Sequence, residues 1–354
     1  MSELSETHIG SGKVMTVRGP IRASDLGVTL MHEHILNDCR CWWNQPKQPD
    51  RAYLGSEPVS IEMIGELRMD PFVNLHNCTL DDEELAIAEL KPVAALGGRT
   101  VVDPTCRGIG RDPLALQRIS RATGLNIVMC GGYYLESSHP PEVAGMSAGD
   151  IADRIVREAL EGVDESGARI GLIGEIGVSS DFTIAERKSL RGAAAAQRRT
   201  GLPLMVHLPG WFRLAHEVLN LVEEEGGDIR HTVLCHMNPS GMDTDYQFSL
   251  ARRGAILEYD MVGMDFWYAD QGVQCPSDED NARAIKGLVD AGFGARVLLS
   301  QDVFLKMMLT RYGGFGYAYV QRHFLARLKR HGLTDGEITA LMVDNPRRVF
   351  AAEG

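Results

Sequence analysis

The 354-residue chain has no apolar run of about 18 residues, so no segment reads as a membrane-spanning helix. It has no Lys- or Arg-rich block, and 36 basic residues face 48 acidic ones for a net charge of −12. That balance argues against a nucleic-acid or anionic-membrane partner. The first residues, MSELSETHIGSGKV, lack the basic start and apolar core of a secretory signal. The seven cysteines are scattered, with no C-x-x-C pair, and only Cys39 and Cys41 are close in sequence. A structural zinc knot is therefore not indicated, and free thiols fit a reducing, cytoplasmic setting. Internal repeats and low-complexity tracts are absent too. With 44% apolar and 24% charged residues, the chain has the composition of a globular enzyme, read here as one domain over residues 1–354.

Eight β-rich runs are present: 28–35, 99–105, 126–134, 169–178, 202–209, 231–238, 255–263 and 296–303. Most are continuous apolar runs, as expected of parallel strands covered on both faces. Helical patterns separate them. Asp112-Pro113 starts one that Gly124 stops, and Ser147 starts another with Ile151, Ile155 and Leu160 on one stripe. Further helical segments are expected over 185–201, 211–226, 278–291 and 317–332. The alternation predicts an α/β fold, a closed (β/α)₈ TIM barrel. The open doubly wound sheet is the rival, but no glycine-rich turn follows residue 35. Two stretches exceed the repeat: a long insertion after strand one (36–98), which carries helical segments, and a long loop after strand eight (303–316). Both follow strands, at the end where barrel enzymes do their chemistry.

Candidate donors gather at that end. Strand one ends in His32 and His34, which lie two apart and so face the same side. Strand four ends in Glu175, strand five in His207, strand six in His236 and strand eight in Asp302. Four imidazoles and two carboxylates suit zinc or another borderline divalent ion. Six donors exceed one tetrahedral ion; with one carboxylate bridging, they suit a pair of ions. His8, His76, His139, His216, His231, His323 and His331 lack that joint placement and read as ordinary structural histidines.

The segments GVTLMHEH, GGRTVVDPTCRGIGRDPLALQRISRATG, VHLPG, LCHMNPS, YGGFGY and NPRRVF together resemble the phosphotriesterase family of the amidohydrolase superfamily. The resemblance runs from about residue 13 to residue 350 and is closest to the phosphotriesterase-related, resiniferatoxin-binding-protein-like branch. It implies a (β/α)₈ barrel with a binuclear centre. His32, His34 and Asp302 match the ligands of the more buried ion, His207 and His236 those of the more exposed ion, and Glu175 the bridge. Many members bridge with a carboxylated lysine, whereas here IGEIG offers Glu175. Strand seven reads Glu258-Tyr259-Asp260-Met261, with neither the histidine of efficient phosphotriesterases nor the Asp-Arg of lactonases. Strand eight ends Gln301-Asp302, not His-Asp. Family members are often dimers, so a homodimer is compatible with the resemblance, although no segment marks an interface.

The expected cofactors are two divalent ions per chain, zinc first, with manganese or cobalt as alternatives. Two ions sharing a water lower its pKa and supply hydroxide, with Asp302 as proton acceptor. The expected activity is hydrolysis of a carboxylic ester, lactone or amide in a small-molecule substrate. Phosphotriester or phosphoester hydrolysis is the alternative, and a small-molecule binding protein on a barrel scaffold is the alternative of another class. Trp42, Trp43, Tyr133 and Tyr134, with Phe266, Trp267 and Tyr268, predict an aromatic mouth. Arg40, Arg107, Lys306 and Arg311 are candidates to clamp a carboxylate, sulfonate or phosphate. Arg111, beside a helix start, reads as structural.

Overall fold

The computed structural model describes residues 12–351. Eight parallel strands pair in sequence order: β1 (Val28–Leu30), β2 (Gly98–Asp103), β3 (Asn126–Gly131), β4 (Leu172–Gly177), β5 (Leu204–His207), β6 (Thr232–Leu234), β7 (Ile256–Tyr259) and β8 (Val297–Leu299). First and last meet at the C-terminal rim, where Asp302 N donates to His32 O (3.0 Å) and His34 N to Val303 O (3.2 Å). The result is the expected (β/α)₈ barrel. Val101, Val102, Ile127 and Val128 are all buried, which explains why these strands read as unbroken apolar runs.

The strands lie where the sequence places them but stop earlier. Residues 28–35 were expected as one strand, and the ladder ends at Leu30. Beyond the ladders the backbone turns to present side chains. His236 (φ 57°) and Asp302 (φ 49°) both sit in the left-handed region, an uncommon choice for residues with a Cβ.

Helices α1 (Glu83–Ala95), α2 (Pro113–Thr123), α3 (Ala148–Leu160), α4 (Ile184–Thr200), α5 (Ala215–Glu224), α6 (Thr244–Arg253), α7 (Asp278–Asp290) and α8 (Leu325–Arg330) separate and follow the strands. Their boundaries have local causes. Asp112 caps α2 through the amide of Ala115, and Gly124 (φ 76°) ends it. Ser147 with Asp150, and Thr183 with Glu186, form capping boxes on α3 and α4. Helix α6 was not expected, because its polar sequence hides the repeat; its signals are the Asp243 cap and Gly254. Residues 317–332 begin with a π-helical turn over Val320–Phe324 before α8.

The insertion after β1 is ordered. Asn37–Asp38 pairs antiparallel with Thr79–Leu80, and a short helix spans Ile64–Met69 before α1. It is tied to the loop after β8. Glu89 on α1 accepts from Thr310 N (3.0 Å), Thr310 Oγ1 (2.7 Å) and Arg311 N (2.8 Å). Among the described residues no helix is long and apolar enough to cross a membrane.

Candidate metal centre

Glu175 stands where β4 passes β5 closely. At Gly174 (φ 119°) a Cβ would meet Met205 O at 2.1 Å, so only glycine allows this approach. The Glu175 carboxylate then sits between two pairs of imidazoles. Its Oε1 lies 3.3 Å from His34 Nε2; its Oε2 lies 3.7 Å from His32 Nε2, 3.1 Å from His207 Nδ1 and 3.6 Å from His236 Nε2. Asp302 Oδ1 faces the first pair, 3.6 Å from His32 Nε2 and 3.5 Å from His34 Nε2. All six expected donors therefore meet in one place.

The donor set fits divalent cations. His32 Nε2 and Asp302 Oδ1 are buried without a hydrogen-bond partner, which is costly unless something else binds them. Donor atoms of His32, His34 and Glu175, of His32, His236 and Asp302, and of Glu175, His207 and His236 each lie within 4.8 Å of one another. Nitrogen and carboxylate oxygen at such spacing are what zinc-like ions select.

The electrostatics are strained in the same sense. Burial would raise the Glu175 pKa, but the imidazoles of His32 and His207 hold it well below the usual range. Burial opposes charge on His236, yet Asp260 and then Glu175 lift it to about 10. Burial raises Asp302 despite the nearby imidazoles, and burial and then His236 lower His207. A bound cation would displace the proton that His236 holds.

Outer partners fix the rings. His236 Nδ1 lies 3.0 Å from Asp260 Oδ1, and His32 Nδ1 lies 3.3 Å from both Glu258 Oε2 and Asp260 Oδ2. His34 Nδ1 meets Thr105 Oγ1 at 2.8 Å. With Nδ1 engaged outward, Nε2 of each faces the cluster. Asp260, Glu258 and Thr105 had no assigned role in the sequence; being buried polar residues at the ends of β7 and β2 was their signal.

A cavity of about 760 Å³ opens above the donors, with His34, Glu175, His207, His236 and Asp302 in its lining. Trp42 and Tyr134 are part of its wall, joined by a Trp42 Nε1–Tyr134 OH bond of 3.1 Å; Tyr134 OH lies 3.4 Å from His207 Nδ1. Phe72, unmarked in the sequence, stacks on Trp42 and on Tyr268 with centroids 5.3 Å apart in each case.

Other expected substrate contacts do not line the cavity. Trp43 is 36% exposed. Tyr133 is buried, its hydroxyl accepting from Arg154 Nη1 (3.2 Å). Arg107 pairs with Glu142 (3.5 Å) and Asp164 (3.8 Å). Lys306 is buried and donates to the Thr79 carbonyl, to Thr79 Oγ1 (2.8 Å) and to Asp81 Oδ1 (2.8 Å). Arg40 pairs with Asp38. Arg111 makes a two-pronged contact with Glu158 (2.7 and 3.0 Å). Among the described residues no lysine or arginine lines the cavity. His76, His139, His216, His231, His323 and His331 are also outside it, and His8 lies outside the described residues.

The model of the phosphotriesterase family matches residues 12–350. The N-acetyltaurine hydrolase of Dictyostelium discoideum is 33% identical over 96% of this chain and 98% of its own. The protein of that name in Homo sapiens is 31% identical, covering 96% and 97%. A resiniferatoxin-binding protein from Rhodobacter sphaeroides superposes with a TM-score of 0.97 at 70% identity, over 99% of this chain and 98% of that one. The phosphotriesterase homology protein of Escherichia coli, solved with phosphate in its active site, gives a TM-score of 0.76 at 26% identity, over 92% and 99%.

Proposed function

Since the chain belongs to the phosphotriesterase family and is a metal-dependent hydrolase, we propose that it cleaves the amide bond of an N-acyl amine, with carboxylic esters and lactones as related substrates. The observation that carries this reading is the buried donor cluster beside the cavity, with His32 Nε2 and Asp302 Oδ1 lacking other partners. The relatives named N-acetyltaurine hydrolase support an amide as the scissile group.

His32, His34 and Asp302 would hold one divalent ion, His207 and His236 a second, and Glu175 both; zinc, manganese and cobalt suit these donors. Such ions supply Lewis acidity and lower the pKa of water. The chain's own residues do the rest. Glu258, Asp260 and Thr105 hold the imidazoles in one orientation. Trp42 and Tyr134 close one side of the cavity and exclude bulk water from the carbonyl. Asp302 accepts the proton released as water adds to the carbonyl carbon. It returns that proton to the nitrogen as the C–N bond breaks, giving a carboxylic acid and an amine.

Phosphoester hydrolysis is a second reading, favoured by the phosphate bound in the Escherichia coli homologue. A panel of N-acyl amines, lactones and aryl phosphoesters, run with zinc, manganese and cobalt, separates the two. Turnover of amides ahead of phosphoesters is expected. Metal-loaded protein inert toward every amide and lactone would end the proposal, and inertness toward the phosphoesters as well would favour the binding-protein alternative.

A further inference from the structure

We infer that the part of the substrate away from the scissile bond is uncharged and apolar, aromatic or alkyl, and that a sulfonate or carboxylate there is rejected. The inference rests on the amide-hydrolase reading above and names its substrate class. It sets this chain apart from the relatives named for N-acetyltaurine, a substrate that ends in a sulfonate.

One wall of the cavity is a continuous run of four rings. Trp42, Phe72, Tyr268 and Trp211 follow one another with centroid separations of 5.3, 5.3 and 5.7 Å. Such a wall takes a flat or flexible apolar group and offers an anion nothing. Among the described residues no lysine or arginine lines the cavity. The nearby guanidinium groups are committed elsewhere: Arg40 to Asp38, Arg107 to Glu142 and Asp164, Arg213 to Asp243.

The lining carboxylates outside the donor cluster point the same way. Glu136 is exposed, and Glu186 is buried, accepting from Ser179 Oγ (2.8 Å) and from the amides of Ser179 and Thr183. Away from the donor cluster, a sulfonate in this cavity would lose water, find no lysine or arginine and lie near two carboxylates. At about 760 Å³ the space also suits a far larger group than a two-carbon sulfonate.

The test uses matched pairs on metal-loaded protein. N-acetyl-2-phenylethylamine and N-acetyltaurine share the acetamide and linker and differ only as phenyl against sulfonate. A second pair places phenyl against carboxylate on the acyl side, as N-ethyl-3-phenylpropanamide against N-ethylsuccinamate. Turnover is measured, and binding is followed separately through the fluorescence of Trp42 and Trp211. The neutral member should be preferred in each pair by about tenfold or more in kcat/KM and in Kd. An anionic member that binds or reacts as well as its neutral partner would overturn the inference. If no amide is cleaved, the amide-hydrolase reading fails, and the ratio of the dissociation constants still decides this one.

Discussion

Asp260 holds His236 twice: its Oδ1 lies 3.0 Å from the ring Nδ1, and its Oδ2 accepts the His236 backbone amide at 3.0 Å. Ring and backbone of one donor are thus fixed by one buried carboxylate, at a residue whose φ of 57° few side chains tolerate. Asp260→Asn should leave the fold intact by circular dichroism. Its metal affinity should fall by about 10- to 100-fold, measured by competition with a chromophoric chelator. Unchanged retention would mean that His236 needs no such orientation.

Glu175 reaches both imidazole pairs, whereas His207 belongs to the more open one. Metal content by elemental analysis should therefore respond differently to the two substitutions. His207→Ala should retain one ion of the proposed pair, and Glu175→Ala should lose most of both, each with activity down by about a hundredfold or more. Equal metal contents in the two variants would contradict the bridging arrangement.

Lys306 offers a sharp choice between a clamp and a tie. Its ammonium is buried against Thr79 and Asp81, holding the insertion to the loop after β8. Lys306→Met should cost about 1–3 kcal/mol in urea denaturation, because Thr79 and Asp81 lose their donor. Asp81 is 68% exposed and can be solvated, which limits the cost. The selectivity ratio between neutral and anionic amides should not move.

Phe72 sits between Trp42 and Tyr268 and is buried. Phe72→Ala should destabilise the protein by about 3–5 kcal/mol if the gap does not collapse. It should also raise KM for aryl amides more than it lowers kcat. A change in kcat alone would argue against Phe72 shaping the wall.

Burial raises the thiol pKa of Cys41 to about 11 and those of Cys78 and Cys275 to about 12. A raised thiol pKa means less thiolate at a given pH, about one part in a thousand at pH 8 for a pKa of 11. An aromatic disulfide reagent should react slowly with the native protein at pH 8, faster as the pH approaches 11, and fast with all seven thiols after denaturation. A fast-reacting thiol in native protein would contradict this burial.

The barrel and the donor cluster were legible because both obey strand rules. Apolar runs recur eight times, and His32, His34, Glu175, His207, His236 and Asp302 all fall at their ends. The substrate wall was only half legible. Tyr133 and Tyr134 are neighbours along extended chain and point opposite ways, so only Tyr134 enters the cavity; strand parity could have separated them. Arg107 and Lys306 looked available because their acidic partners are long-range, 35 and 225 residues away for Glu142 and Asp81. Phe72 lies in an insertion without periodicity, so nothing local marks it. Helix α6 is hidden by its mostly polar face, which leaves only its caps, Asp243 and Gly254, as signals.

Glu33, between two donor histidines, accepts from Ser300 Oγ, Gln301 N, Gln301 Nε2 and Val303 N, reaching across as many as 270 residues. The deepest donors therefore come from opposite ends of the polypeptide and cannot converge until nearly the whole of it has emerged from the ribosome. A chain halted before residue 300 lacks Asp302 and the groups that hold Glu33, so the set of His32, His34 and Asp302 closes last in the biogenesis of this protein.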